Sequence, residues 1–259
     1  MLKLLLIILS LVIVVQSEPS ECSGNLLRYC KRHIYPLCQL FCKPKQKEIK
    51  PVKIELYYEA LCPDCQEFMK YQLYPTFQRL FQTGIFQLTL IPYGNAKESE
   101  VGGKWMFQCQ HGEQECQMNL LETCAIHLLN NPQQFMPFIH CVELLPNLQD
   151  AQKCAGSLGI EWAPIAACYN GAEGNYLQHQ MAQMTEALNP PHTYVPWVLV
   201  DGVHTEEIQK KAQQDLSALI CENYKGKKPK ECYRRLIQKP KMPQRIKSPS
   251  VYINTVKSL

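Results

Sequence analysis

The chain has 259 residues, 46% of them hydrophobic and 19% charged, with a formal net charge of +4. That is enough apolar material for one sizeable core with insertions. The positive excess is modest and partly terminal, at Lys239, Lys241, Arg245, Lys247 and Lys257. No basic face is interleaved with aromatics, so a nucleic-acid partner is excluded.

The N-terminus reads as a targeting segment. Lys3 precedes an apolar run, Leu4 to Val15, and Val15-Gln16-Ser17 places small residues at the −3 and −1 positions of a cleavage site. The run is short for a bilayer span and polar sequence follows at once, so residues 1–17 are expected to be a cleaved signal peptide; a retained signal anchor is the alternative. The mature protein is then expected to be soluble, lumenal or extracellular, with no membrane association. Fourteen cysteines fit an oxidising compartment, where they imply disulfides rather than metal sites.

Residues 18–50 form a cysteine-rich extension with Cys22, Cys30, Cys38 and Cys42, ending in the linker Lys43-Pro44-Lys45-Gln46-Lys47. It is read as a stapled extension; a zinc knuckle would find only His33 in support. Val52 to Tyr58 alternates and then turns fully apolar or aromatic, which predicts a strand. Glu59-Ala60-Leu61 leads from it into Cys62-Pro63-Asp64-Cys65. Gln66 to Phe81 carries apolar residues at helical spacing, with Pro75 expected to bend or split the helix and Gly84 to close it. Phe86 to Tyr93 alternates as a second strand. Strand, helix and strand at this spacing suggest a βαβ unit.

Residues of about 94–189 hold six cysteines and amphipathic stretches such as Leu120 to Leu129 and Tyr176 to Leu188. The segment is read as a helical insertion pinned by disulfides. Tyr194 to Val200 predicts a strand with Pro196 near its start, followed by the turn signal Asp201-Gly202. Glu206 to Cys221 fits a closing helix. Cys221 and Cys232 flank a basic loop and are expected to bridge locally. The tail, 236–259, is basic and expected to be disordered.

The strongest chemical feature is the C-x-x-C pair between a strand and a helix. A helix N-terminus offers unpaired N–H groups and partial positive charge, which favour a thiolate. Cys62, at the helix start, is expected to face solvent and attack a substrate disulfide. Cys65, one turn in, is expected to be more buried and to resolve the mixed disulfide. A structural disulfide or half a zinc site is the plain alternative. Against it stands Pro196, since thioredoxin-like proteins place a cis-proline opposite the redox pair. Val195 and Pro196 are therefore the candidates for contact with a substrate peptide. If Cys62 and Cys65 form a working pair, twelve cysteines remain, enough for up to six bridges.

The run Cys109-Gln110-His111-Gly112-Glu113-Gln114-Glu115-Cys116-Gln117-Met118-Asn119-Leu120-Leu121-Glu122-Thr123-Cys124 closely resembles the signature of the gamma-interferon-inducible lysosomal thiol reductase family. Pro190 to Val198 and Tyr224 to Pro229 before Cys232 resemble the same family, and the likeness covers roughly residues 50–235. It implies an α/β, thioredoxin-like domain over residues 51–235 with a disulfide-rich helical insertion. It also implies a disulfide reductase of protein substrates, served by a small thiol reductant and working in relatives at acidic pH, with no cofactor and no metal. The active cysteines carry over to Cys62 and Cys65. The signature cysteines are expected to be bridges, and His111 to serve capping or core hydrogen bonding rather than catalysis. Competing readings are a disulfide oxidase or isomerase and a non-catalytic secreted binding protein on the same fold. No Asn-x-Ser/Thr sequon is present, which favours secretion over glycan-dependent lysosomal sorting.

Overall fold

A computed structural model describes residues 49–145 and 147–233. The signal segment, the four cysteines of the extension and the tail lie outside the described residues. Among the described residues no helix is long and apolar enough to cross a membrane.

Strand β1 (Val52–Tyr58) is the central strand of a three-stranded sheet. It pairs in parallel with β2 (Phe86–Pro92), from Val52 opposite Phe86 to Tyr58 opposite Pro92. On its other side it pairs antiparallel with β5 (Trp197–Val200), Leu56 opposite Val198. Its sequence explains this placement. Ile54, Leu56 and Tyr58 enter the main core, whereas Tyr57 joins Ile91, Trp197 and Leu199 on the opposite face. A strand covered on both faces reads as an apolar run rather than an alternation, as the end of β1 does.

The β1–β2 connection is helical and split, as Pro75 requires. Helix α1 (Pro63–Phe68) passes into a π-helical turn (Met69–Leu73) and then into α2 (Tyr74–Leu80). The Tyr74 N–H reaches back five residues to the Met69 carbonyl. The slipped register lies just before Pro75, whose ring brings no N–H to the ladder. Gly84, at φ 69°, ends the segment.

The insertion differs from the all-helical expectation at its start. It opens with a hairpin, β3 (Lys97–Val101) and β4 (Lys104–Gln108), turned through Gly102 and Gly103 at positive φ. Little of β3 is buried on either face, so no hydrophobic alternation announces it. The hairpin is instead held by polar and stacking contacts. The Asn175 side chain bonds both backbone groups of Trp105, at 3.0 and 2.7 Å, and the indole stacks on His179 at 3.7 Å. Five helices follow: α3 (Glu113–Leu129), α4 (Pro132–Glu143), α5 (Ala151–Ser157), α6 (Trp162–Tyr169) and α7 (Ala172–Glu186). All six cysteines of the segment pair within it, as Cys109–Cys116, Cys124–Cys168 and Cys141–Cys154. Gly174 is required beside the second bridge, because a Cβ there would stand 2.4 Å from the Cys168 carbonyl.

After β5, Asp201 and Gly202 turn at φ 52° and 78°, the signs a type I′ turn needs. The returning chain forms only a bridge between Val200 and Val203 before α8 (Glu206–Asn223) begins. The Cys221–Cys232 bridge expected from the sequence is formed, with the Cα atoms 5.7 Å apart.

Where the insertion meets β1 the core holds acids. Glu122 on α3 and Glu143 on α4 are wholly buried, and the Tyr58 hydroxyl donates to Glu122 at 2.5 Å. Burial pushes the Glu122 carboxyl up to about 8; it pushes Glu143 well above the carboxylate range, and the neighbouring Glu122 adds to it. Both folded values lie above the ordinary 4.5, so this pair favours the folded state fully below that pH. The advantage is lost as pH rises through about 8. Melting between pH 5 and 9 should therefore show a loss on the order of a few kcal/mol. Glu122→Gln should flatten that slope; an unchanged slope would place the sensitivity elsewhere.

Candidate active site

The site begins where β1 ends. Cys62 is the N-cap of α1, at φ −68° and ψ 120°, and its sulfur accepts the Cys65 N–H at 3.4 Å. Pro63 occupies the first turn, where a missing N–H costs nothing. Both sulfurs are free thiols. Cys65 is 1% exposed and Cys62 only 7%. The expected order holds, but Cys62 does not stand in open solvent. The Val195 carbonyl lies over it, 4.0 Å from its sulfur. Burial, then the hydrogen bond and charge of Cys62, push the Cys65 thiol well above its usual range. Cys65 is thus kept protonated.

Val195 and Pro196 are joined by a cis peptide, as expected; a second cis bond, Asn189–Pro190, was not foreseen. The segment is held from behind by Gln209 of α8, which is 3% exposed. Its amide donates to the Pro196 carbonyl at 2.9 Å, and its oxygen accepts the Val198 N–H at 3.0 Å. His204 Nδ1 lies 2.9 Å from the Val198 carbonyl. The two side chains occupy the backbone groups along the outer edge of β5, as a further strand would.

The loop entering the pair is held by the insertion. The Ala60 N–H donates to Asn119 Oδ1 at 2.9 Å, and Gln66 Nε2 donates to the Ala60 carbonyl at 3.0 Å. Glu59 is wholly buried and accepts the Asn95 N–H at 2.8 Å. Gly94, at φ 60°, must be glycine, since a Cβ there would sit 2.5 Å from Glu59 Oε2. His111 Nδ1 stands 2.5 Å from Glu115 Oε2 and 3.7 Å from Glu59 Oε1. Burial raises the Glu59 carboxyl, the Asn95 N–H opposes this, and the Glu115 charge adds to it. Among the described residues, Glu59, His111 and Glu115 are the grouping dense enough to receive a cation. Their polar atoms already bond one another and Asn95, and the cluster is accordingly read as an ion-paired network.

Sequence reasoning missed Glu59, Asn119 and Gln209 as parts of the site. Asn119 was a fixed position of the signature and could have been suspected. Gln209 gave no signal, being one of several glutamines on an amphipathic helix.

A C-x-x-C pair at the helix start after the central strand, with a cis-proline leading into the antiparallel neighbour of that strand, is the arrangement of a thioredoxin-like thiol–disulfide oxidoreductase. Residues 53–158 match the family model described as gamma interferon inducible lysosomal thiol reductase (GILT). A gamma-interferon-inducible lysosomal thiol reductase of Carassius auratus is 40% identical over 236 residues, covering 86% of this chain and 92% of the relative. One of Mus musculus is 37% identical over 240 residues, covering 89% and 91%. The chain belongs to the GILT family. Among solved structures, reduced DsbA from Mycobacterium tuberculosis is similar at a TM-score of 0.47 and 17% identity, covering 74% of this chain and 92% of that one.

Replacing Gln209 with Leu keeps the volume but leaves a backbone donor and acceptor unpaired, at a cost of about 1–3 kcal/mol. Gln209→Leu should lower kcat/KM for a peptide disulfide by roughly tenfold. Alkylation of Cys62 by iodoacetamide should not fall, since displacing Val195 uncovers the sulfur. A parallel fall in both would mean general disruption rather than a displaced Val195-Pro196 segment.

Proposed function

We propose that this chain reduces disulfides of protein substrates, with Cys62 as nucleophile, Cys65 as resolving thiol, and Val195 and Pro196 lining the approach of the substrate peptide. The observation that carries the reading is the unequal pair at the start of α1: a capping Cys62 beneath the Val195 carbonyl and a buried, protonated Cys65. Cys62 thiolate attacks one substrate sulfur, forming the mixed disulfide and releasing the other sulfur as a thiolate that takes up a proton. Cys65 then gives up its proton and attacks the Cys62 sulfur. The second substrate thiol leaves, and a Cys62–Cys65 disulfide remains. Two molecules of a small thiol supply the two electrons that return the pair to its dithiol form, and they leave joined as their own disulfide. Direction is read from the reduction potential: a value near −270 mV supports reduction, whereas one near −120 mV marks an oxidant.

Cys62→Ser should abolish reduction of insulin, while Cys65→Ser should accumulate mixed disulfides visible on non-reducing gels. Covalent capture by Cys62→Ser and none by Cys65→Ser would reverse the two roles.

The lumenal address is part of the same proposal, with secretion favoured by the missing sequon. Mass spectrometry of material from the culture medium should find a chain starting near Glu18 and no glycosidase-sensitive mass. A retained Met1 would oppose signal cleavage.

A further inference from the structure

We propose that His111 is a positioning residue for the redox pair: as an imidazolium it ties Glu59 and Glu115 together and so fixes the loop that presents Cys62. The proposal rests on the reductase reading above.

Glu59 lies three residues before Cys62, and its carbonyl accepts the Cys62 N–H at 3.3 Å. Its side chain points away from the pair, into the insertion. There it meets the Asn95 N–H at 2.8 Å and His111 Nδ1 at 3.7 Å. His111 is fixed in turn. Its backbone N–H donates to Glu115 Oε1 at 3.1 Å, its ring nitrogen lies 2.5 Å from Glu115 Oε2, and the Cys109–Cys116 bridge closes the loop that carries it. Asn95 joins the two sides a second time, through Gln110 Oε1 at 2.8 Å. His111 and Asn119 thus meet the dipeptide Glu59-Ala60 directly, while Glu115 and the Cys109–Cys116 bridge hold His111 and Gln110 holds Asn95.

The charges give this network its pH dependence. Glu59 and Glu115 are both wholly buried, and their ion pairs both run to His111, which is 34% exposed on its side chain. With the imidazole charged, one cation faces two carboxylates. With it neutral, two buried carboxylates face each other with no cation between them, and either one takes up a proton or the cluster opens. Among the described residues, the other titratable groups acting on the cluster do not supply the missing cation. Glu143 on α4 adds negative charge towards Glu115 and Cys62, Cys65 is a buried thiol, and the His192 ring is engaged with the Gly94 backbone and is held below the usual imidazole range by burial. Loss of the His111 proton therefore loosens the Glu59 end of the loop, and with it the seat of Cys62.

The test is insulin reduction with cysteine as reductant, from about pH 5 to about pH 7.5. His111→Gln should lower kcat/KM about tenfold at the acid end and flatten the profile. Glu115→Gln should lower activity in the native background and raise it in the His111→Gln background, where it removes an uncompensated charge. This reversal of sign is one that a merely structural role would not produce. An unchanged profile in His111→Gln, or the same effect of Glu115→Gln in both backgrounds, overturns the proposal alone. A native chain inert towards insulin across the whole range overturns the reductase reading and this proposal with it. Should His111→Gln not fold, the native protein decides: the NMR titration of the His111 ring must share its midpoint with the fall in turnover, and separate midpoints overturn the proposal.

Discussion

The N–H of Ala60 meets the buried side chain of Asn119 at 2.9 Å, and the carbonyl of the same residue meets Gln66 at 3.0 Å. One residue of main chain, between the central strand and the first helix, is therefore satisfied on both sides by side chains rather than by a ladder. Buried backbone groups need such partners, and those who provide them dictate where the chain goes next. Here they dictate the origin of α1. That origin in turn places Cys62 as a cap beneath the Val195 carbonyl and sets Cys65 one turn inside. The insertion is thus more than an appendage on a small sheet. α3 supplies Asn119 to the loop and Glu122 to Tyr58 of β1, while its disulfides hold the helices that surround it.

The electrostatics around the pair are one-sided. Tyr58, Glu122 and Glu143 lie in the core with no cation among the partners the structure gives them, and Glu143 acts on both cysteines. Groups in such surroundings are easiest to bury when neutral. A neutral acid behind Cys65 suits a thiol that, in the proposed mechanism, stays protonated until the mixed disulfide forms. The same burial makes the interior more comfortable at low pH than at high pH.

Much of the scaffold was legible because it is written in periodicity and in residues with restricted dihedrals. The strands at Val52 and Phe86, the split before Pro75, the turn at Asp201-Gly202 and the bridge between Cys221 and Cys232 all follow from local rules. The β3–β4 hairpin was not legible, because a strand such as Lys97–Val101, largely exposed on both faces, carries no alternation; Gly102-Gly103 was its one signal. The site was half legible. Cys62, Cys65, Val195 and Pro196 stood out by type and spacing. The shielding of Cys62 did not, since it depends on a segment 133 residues away. Nor did the inward-facing Glu59, Glu122 and Glu143, because a glutamate in an amphipathic stretch is expected in water.

The edge of β5 has one more consequence. Extended chains with unmet backbone groups seek an open strand to pair with, and an enzyme that handles disulfide-containing proteins meets such chains as they loosen. The sheet of this protein stops at four residues, Trp197–Val200, without offering that template. Gln209, His204 and the turn to Val203 have already claimed the outward groups of Val198 and Val200. A loosened client is thereby denied the β5 edge as a strand to pair with.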